Sequence, residues 1–578
     1  MNRHLYILLF FLVSLSANAQ IFTLKGTVKE ANGTPLLGAT VVVKESHIGT
    51  SSDIEGRFSI KAQVGQTLEV SYVGMKTQRF KIKGESLQIV LKEEAQALEG
   101  VVVTGYQKIQ NRVFTGAAAS VKMDNIKMEG VADISRMLEG RVAGLSIQNV
   151  TGSFGSAPRI NIRGGASIIG NVQPLWVIDG AIYEDLVPLS LDQLVSGDAV
   201  TLVSSAIAGL NATDIEDIQV LKDASATSMY GARALNGVIV ITTKSGKRDT
   251  PNRITYSYEQ SFRTIPSYKD FDLLNSQETM SLLQEMNSKG YFNLQNTLYG
   301  RRSGIYYQWY KGVSTINPNT GNYYYPNTPA AQAAFMKERE YANTDWFKHL
   351  FSINPIRSHT ITFSGGGKNS TSYASLGYYH DSGWTITDNV KRITANLKNT
   401  FYINDQLKAT FTAVGNLRNQ KAPGTFAQRK NTAIGAFERD FDINPFSYAL
   451  GTSRTLRPKD ANGNLEYYRN NWAPFNILEE YRNNYMKIDV LDFKIQAEAS
   501  YKLNPHLEAT ALVSARQAQT QSSHYITEKS NVVRAFRANE TPQVANDNIY
   551  LLKNKDNPLA PPQIALTNGG IFNKTETS

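Results

Sequence analysis

From about residue 253 onward, apolar and polar positions alternate with a period of two. In RITYSYEQSF, Ile254, Tyr256, Tyr258 and Phe262 share one face, and Arg253, Thr255, Ser257 and Glu259 share the other. In RITANLKNTFYI, Ile393, Ala395, Leu397, Phe401 and Ile403 alternate with Arg392, Thr394, Asn396, Lys398 and Thr400. LKATFTAVGNLR, LDFKIQAEASYKL and HLEATALVSAR repeat the pattern. Period two is the signature of a strand with two unlike faces. Each run is close to the ~9–11 residues that a tilted strand needs to cross a bilayer. The charged face suits a water-filled lumen. Residues 366–370, 404–406 and 504–505 read as short turns, whereas 265–355 and 419–486 are long, polar and rich in Tyr and Asn. Short turns on one rim and long loops on the other are the pattern of an outer-membrane barrel. About seven such strands precede Ser578, and the final TNGGIFNKTETS reads as a loop. Plugged barrels have about 22 strands, so 248–578 is expected to be the first part of a barrel, from a truncated or interrupted product.

The first half has a different texture. Residues 20–92 carry short apolar runs (40–43, 58–60, 68–72 and 87–91) separated by turn residues such as Asn32-Gly33 and Glu55-Gly56, as in a small β-sandwich. Residues 93–110 read as a linker. Residues 111–247 mix both periods. Val131, Ile134, Leu138 and Val142 predict an amphipathic helix through DISRMLEGRVAGL. Residues 159–163, 175–178, 217–221 and 237–243 read as strands. Asp223 is placed to cap a helix over 224–230 that stops at Gly231.

Composition narrows the class. Arg3 and His4, then an apolar 5–15, then Ala17-Asn18-Ala19, form a secretory leader over 1–19 with cleavage before Gln20. The apolar run is too short to span a bilayer as a helix. With no cysteine in the chain, neither disulfides nor thiolate metal sites are available. The formal charge is +10, but Lys and Arg are dispersed rather than gathered in a stripe, so nucleic-acid binding is not expected. Contact with anionic lipopolysaccharide or an acidic substrate fits an exported barrel better.

No motif points to catalysis. Around the seven His there is no HExxH or HxxE pattern. The run from Gly365 to Asn369 lacks the first glycine and the Ser/Thr of a phosphate loop and reads as a tight turn. Asp53, Glu55 and Gly56 lack EF-hand spacing. The chain is therefore expected to be no enzyme and to hold neither metal nor cofactor.

Several phrases carry a family resemblance. GTVKEANGTPLLGATVVVKES and LEVSYVGM resemble a carboxypeptidase-regulatory-like domain. EGRVAGLSI, INIRGGASI, PLWVIDG and IQVLKDASATSMYGARALNGVIVITTK resemble, in that order, the plug of SusC/RagA-type TonB-dependent outer-membrane transporters. The resemblance implies a mainly β protein: regulatory-like β-sandwich, mixed α/β plug, then the first strands of a transmembrane antiparallel barrel. It implies import of an oligosaccharide or peptide across the outer membrane, energised through TonB and its inner-membrane complex, with a SusD-like surface lipoprotein as partner and outer-membrane lipid around the barrel. A siderophore or cobalamin receptor is the alternative within transport; a surface adhesin or structural barrel is the alternative outside it.

The resemblance also supplies site residues. Val101, Val102, Val103 and Thr104 stand where the family has its TonB box, which would pair by β-augmentation with an edge strand of TonB; an ordinary first plug strand is the other reading. Arg163, Asp179, Lys222, Asp223 and Arg233 are expected to tie plug to barrel wall through charged, hydrated contacts, with internal plug stabilisation and capping as the other reading, above all for Asp223 and Arg233. The cargo site is left unassigned. Tyr and Trp in 291–346 suit stacking on sugar rings, or equally packing within an ordered loop.

Overall fold

The computed structural model describes residues 21–551 and 569–577, apart from 31–32, 47, 73–74, 76, 92–100, 104–107, 111–116, 132, 149–157, 163–172, 185–206, 224–226, 292, 319, 425–427, 432–435 and 505–506. The leader, Thr104 and Arg163 thus lie outside the described residues. The chain divides into two compact units, one running to Val101 and the other holding nearly all that follows.

The first unit is a two-sheet sandwich. Its strands are β1 (Phe22–Glu30), β2 (Thr40–Val43), β3 (Ile48–Ser51), β4 (Arg57–Ala62), β5 (Thr67–Ser71), β6 (Gln78–Lys81) and β7 (Ser86–Leu91). One sheet has the order β4-β1-β7 and the other β3-β2-β5-β6. Alternate residues point inward, so Leu24, Val28, Val41, Val43, Ile60 and Val70 form a closed apolar core. Gly56 has φ of 73° at the turn into β4, a conformation glycine adopts without strain.

Next come two short segments, β8 (Val101–Val103) and β9 (Lys108–Gln110), which pair with each other in a sheet of two. The plug follows, with β10 (Ala118–Lys122), β11 (Ser146–Gln148), β12 (Arg159–Asn161), β13 (Leu175–Ile178), β14 (Ala181–Tyr183), β15 (Ile215–Leu221) and β16 (Val238–Thr243). Five of these form one mixed sheet in the order β10-β15-β16-β13-β14, where only β13 and β16 run parallel. Ile134, Leu138, Val142, Ile218, Val220 and Ile239 lie in its core. The helix predicted through 131–145 is a single turn, Ile134–Met137. Gly140 and Gly144 take φ of 68° and 76° and break the rest into turns, while the apolar residues stay buried. The helix expected to end at Gly231 becomes a 3-10 segment, Ser228–Ala234, kinked at that glycine.

The largest sheet is built from β17 (Thr250–Phe262), β18 (Pro355–Gly366), β19 (Ser370–Asp381), β20 (Asn389–Tyr402) and β21 (Leu407–Pro423). Four short strands follow: β22 (Gln428–Asn431), β23 (Ala436–Arg439), β24 (Tyr468–Asn470) and β25 (Ala473–Phe475). The sheet resumes with β26 (Asn484–Asn504), β27 (Leu507–Thr527) and β28 (Gly569–Thr577). Among the described residues it is an antiparallel meander of eight strands, β17 to β21 and then β26 to β28. The eighth strand corrects the expectation of about seven and of a terminal loop. GGIFNKTET has no clear alternation, and it is a strand because its main chain pairs with β27 from Gln519↔Thr577 to Thr527↔Gly569. Two of the short turns lie where the sequence placed them, between β18 and β19 and between β20 and β21, and the one expected at 504–505 falls partly outside the described residues.

The faces of this sheet are inverted relative to a soluble protein. Ile254 is 75% exposed and Phe493 48%, whereas Arg392 is 4% and Lys494 1% exposed. On β26 the outward apolar run from Leu491 to Leu503 covers about 40 Å along the strand at ~3.3 Å per residue, or about 28 Å in height once tilted by ~45°. That matches a bilayer's hydrocarbon layer.

The long connections are folded, not merely polar. The β17–β18 connection holds helices Ser276–Ser288, Ile305–Ser314, Pro329–Glu340 and Trp346–Leu350, and the β21–β26 connection holds Pro445–Gly451 and Ile477–Asn483. Asn275 and Glu278 form a reciprocal capping box on the first of these helices. The two connections share an aromatic core that includes Trp309, Phe335, Trp346, Phe347, Phe475 and Tyr481. Trp309 stacks on Tyr325 at 5.7 Å between centroids. Both tryptophans are therefore packing groups, and of the two readings of 291–346 the structure supports the ordered loop for them.

Within this loop unit Glu480 is buried and accepts from the Asn531 amide at 2.6 Å and from Asn484 Nδ2 at 3.0 Å. Burial pushes its carboxyl up to about 7, with those two hydrogen bonds and Arg534 opposing. A raised acid holds its proton in the folded state after the unfolded chain has lost it. Its contribution to stability is therefore complete below about pH 4 and falls as pH rises toward about 8. The fluorescence-monitored unfolding transition of Trp309 and Trp346 is expected to fall in temperature over that range relative to that of Glu480→Leu. A difference between the two proteins that does not change with pH would contradict this account.

Candidate functional site: the plug–wall interface

The inward face of the large sheet meets the plug through polar groups on nearly every strand. The centre of this contact is the turn between β13 and β14. Asp179 and Gly180 have φ of 50° and 83°, and Ile178 pairs with Ala181. This is the two-residue type I′ hairpin for which Asp-Gly is a preferred pair.

The same aspartate is held from the wall. Its carboxylate accepts from Lys398 Nζ of β20 at 3.0 Å, and from the Thr243 amide and hydroxyl of β16 at 3.0 and 2.5 Å. Its main-chain carbonyl accepts from Gln496 Nε2 at 2.7 Å, and the Ile178 carbonyl accepts from Lys494 Nζ at 3.3 Å. Lys398, Thr412 and Gln496 are successive partners across β20, β21 and β26, so the clasp is one row of the wall. Burial alone would raise the Asp179 carboxyl, but Lys398, then Lys494 and the Thr243 hydrogen bonds, hold it below the usual carboxylate range.

Around this clasp the wall donates to plug main chain. Arg392 of β20 donates to the Ala208 and Leu210 carbonyls at 2.8 and 3.1 Å. Arg516 of β27 pairs with Asp492, reaches the Glu184 carbonyl at 3.2 Å and lies 4.3 Å over the Tyr183 ring. Tyr373 of β19 donates to Asp214 at 2.9 Å. Burial raises the Asp214 carboxyl, with hydrogen bonds from Ser375 and Tyr373 opposing. Lys127 of the plug pairs with Glu259 of β17. Plug backbone also lies close against a wall side chain, since a Cβ built at Gly209 would meet Asn416 Nδ2 of β21 at 2.6 Å. Arg392, Lys398, Lys494 and Gln496 are thus covered by plug rather than by open water.

The remaining sequence candidates sit elsewhere. Val101–Val103 form β8, with β9 as partner. Lys222 donates to the Ala143 carbonyl. The Asp223 carboxylate accepts from the Ala117 amide, while the Lys222 amide bonds the Ala117 carbonyl at 2.9 Å. These bonds fix the point where the chain enters β10. Arg233 pairs with Glu184 at 3.0 Å, with both side chains exposed. The bonds described for Lys222, Asp223 and Arg233 are thus internal to the plug. Lys398, Lys494, Gln496 and Arg516 were missed as individuals. Their signal was a cation or amide on the non-lipid face of a strand.

Comparison with known proteins agrees with this architecture. Residues 24–103 match the CarboxypepD_reg-like domain, and 110–238 match the TonB-dependent Receptor Plug Domain. The TonB-dependent receptor SusC of Bacteroides thetaiotaomicron is 30% identical over 515 residues, covering 88% of this chain and 45% of the relative. The chain belongs to the SusC/RagA family of TonB-dependent receptors. TonB-dependent receptor P26 of Formosa agariphila is 30% identical over 68% of this chain and 34% of its own length. The RagAB peptide importer in its open-open state superposes with a TM-score of 0.52 at 25% identity, covering 73% of this chain and 43% of that one. This SusC/RagA chain spans less than half the length of the curated relatives it matches.

Removing one partner of a buried ion pair leaves the other charge uncompensated, at a cost of about 3–5 kcal/mol. Lys398→Ala is expected to lower the thermal midpoint at neutral pH. Without its main counter-charge the Asp179 carboxyl should rise, so the deficit should shrink as pH falls through the ordinary carboxylate range. In the native chain the same acidification removes the stability contributed by the depressed Asp179. A deficit that is unchanged between neutral and acid pH would argue against the clasp. Gly209→Ala is expected to cost about 1–3 kcal/mol by overpacking against Asn416, measured in the same melts, with Gly451→Ala as an unobstructed control.

Proposed function

We propose that the chain is the plug and first barrel strands of a TonB-dependent importer in the outer membrane. The observation that carries this reading is the polar plug–wall interface inside an inverted sheet. Polar contacts can be exchanged for water as they break, whereas an apolar seal would resist opening. An inert structural barrel has no need of a plug held in this way.

The strand order suggests how force would act. TonB would engage the 101–104 region by adding its own edge strand, which requires main-chain groups and little side-chain identity. Among the described residues β8 pairs with β9, so TonB would take the other edge of β8 or displace β9. Tension carried down the chain would reach Ala117 and β10, an edge strand of the plug sheet. The clasp at Asp179 holds the β13–β14 hairpin at the opposite edge. The plug would then be loaded at one edge while anchored at the other. Asp179, Lys222, Asp223 and Arg233 would serve this arrangement in different ways, the first as the wall tie and the others by keeping the plug intact.

The cargo we propose is an oligosaccharide or a peptide, received with a SusD-like surface lipoprotein. The support is membership of the family and likeness to SusC and to a peptide importer. No covalent change of cargo is part of this reading.

The test exploits the absence of cysteine. Single cysteines at 101, 102, 103 and 104 should form disulfides with cysteines placed along the TonB edge strand, in an alternating pattern. Val102→Pro removes a main-chain donor and is expected to abolish growth on whichever oligosaccharide or peptide the native gene supports, while surface binding of that cargo persists. Undiminished uptake by Val102→Pro would sink the TonB-box assignment.

A further inference from the structure

The register of the large sheet sets basic side chains side by side on its outward face. Arg357 of β18 lies directly opposite His380 of β19, and His380 directly opposite Lys391 of β20. Lys421 of β21 lies directly opposite Lys487 of β26. Two residues further along β19 and β20 the outward positions become Tyr378 and Ile393, and four residues further along β21 and β26, beyond Asn419 and Asp489, they become Leu417 and Leu491. The cations therefore rim the apolar band on the side of the long loops.

Like charges directly opposite on neighbouring strands repel. Among the described residues, Arg357, Lys391, Lys421 and Lys487 make no ion pair. Asp489 is the carboxylate on these outward rows, and it accepts from Asn419 at 2.6 Å. Two of the lysines are held by aromatic faces: Lys421 lies 4.4 Å from the Tyr485 centroid and Lys487 5.1 Å from that of Tyr525. Those rings stack at 5.0 Å. Tyrosine is the residue expected at the headgroup level, so the ammonium groups are fixed at that level too.

We propose that this strip binds the phosphate groups of anionic lipid headgroups. The proposal rests on the reading of the sheet as a membrane-embedded barrel. An anion between Lys421 and Lys487 would turn a repulsive pairing into a bridged one, and another would span Arg357 and Lys391 on either side of His380. The acyl chains would lie on the apolar band immediately below. Continuity of cation, tyrosine and hydrocarbon-facing surface on the same strands selects a lipid over a free anion.

The experiment compares the full chain with R357Q/K391Q/K421Q/K487Q, and with K421R/K487R, which keeps the charge. Each protein is purified from outer membranes in a neutral detergent, and its retained phospholipid and lipid A are quantified. Thermal midpoints are then read on adding phosphatidylglycerol, phosphatidylcholine or inorganic phosphate. The expected result is a several-fold loss of retained phosphate-bearing lipid in the quadruple variant, none in the arginine variant, and an upward shift of the native chain by phosphatidylglycerol alone. Fluorescence of the buried tryptophans checks that the variant is folded, and a misfolded variant leaves the native chain's selective shift to decide. Equal retention by native and quadruple variant would overturn the strip, as would an equal shift by inorganic phosphate or phosphatidylcholine. A native chain absent from the outer-membrane fraction would overturn the barrel reading as well.

Discussion

In hydrocarbon there is no water to satisfy a main-chain amide or carbonyl, so a strand can enter a bilayer only if neighbouring strands take its hydrogen bonds. The rest of this structure depends on that constraint. It requires long strands joined by tight turns on one rim, and it frees the outward side chains from any polar duty. Ile254, Tyr256, Phe493 and Ile495 consequently face out, and Arg392, Lys398, Arg418 and Lys494 face in. Buried cations need partners, and the plug provides them. Its free carbonyls at Ile178, Asp179, Ala208, Leu210 and Glu184 are bonded by the wall. Lipid on one side thus determines the chemistry of the seal on the other.

How much of this the sequence carried depends on the range of the interaction. The period-two runs and the turns at 366–370 and 404–406 are local signals, and they were legible. The capping box at Asn275 and Glu278 was equally local, yet the tyrosine- and asparagine-rich composition around it masked a folded unit. The periodicity of 131–142 marked the right buried residues and the wrong element, because two left-handed glycines override a helical pattern. β28 has almost no pattern of its own and exists through its neighbour. The clasp lay furthest out of reach. Asp179 stands in a recognisable phrase, but Lys398 is 219 residues away, and only the register of three strands brings it and Gln496 to the same place.

The two faces of the wall also differ in how they treat charge. Inward cations are desolvated and bound by fixed plug groups. Outward cations stand at the loop-side rim, where Lys421 and Lys487 lie over tyrosine rings. The first set is tied to fixed carbonyls and carboxylates of the plug.

The turn at Asp179 joins a backbone preference to a long-range charge within one side chain. Asparagine there would keep the left-handed turn and surrender the ion pair. Glutamate would keep the charge but would have to place a longer stem from a backbone conformation it disfavours. Glycine would keep only the turn. Two independent requirements, one satisfied within four residues and the other across a third of the chain, leave the position with an alphabet of a single letter.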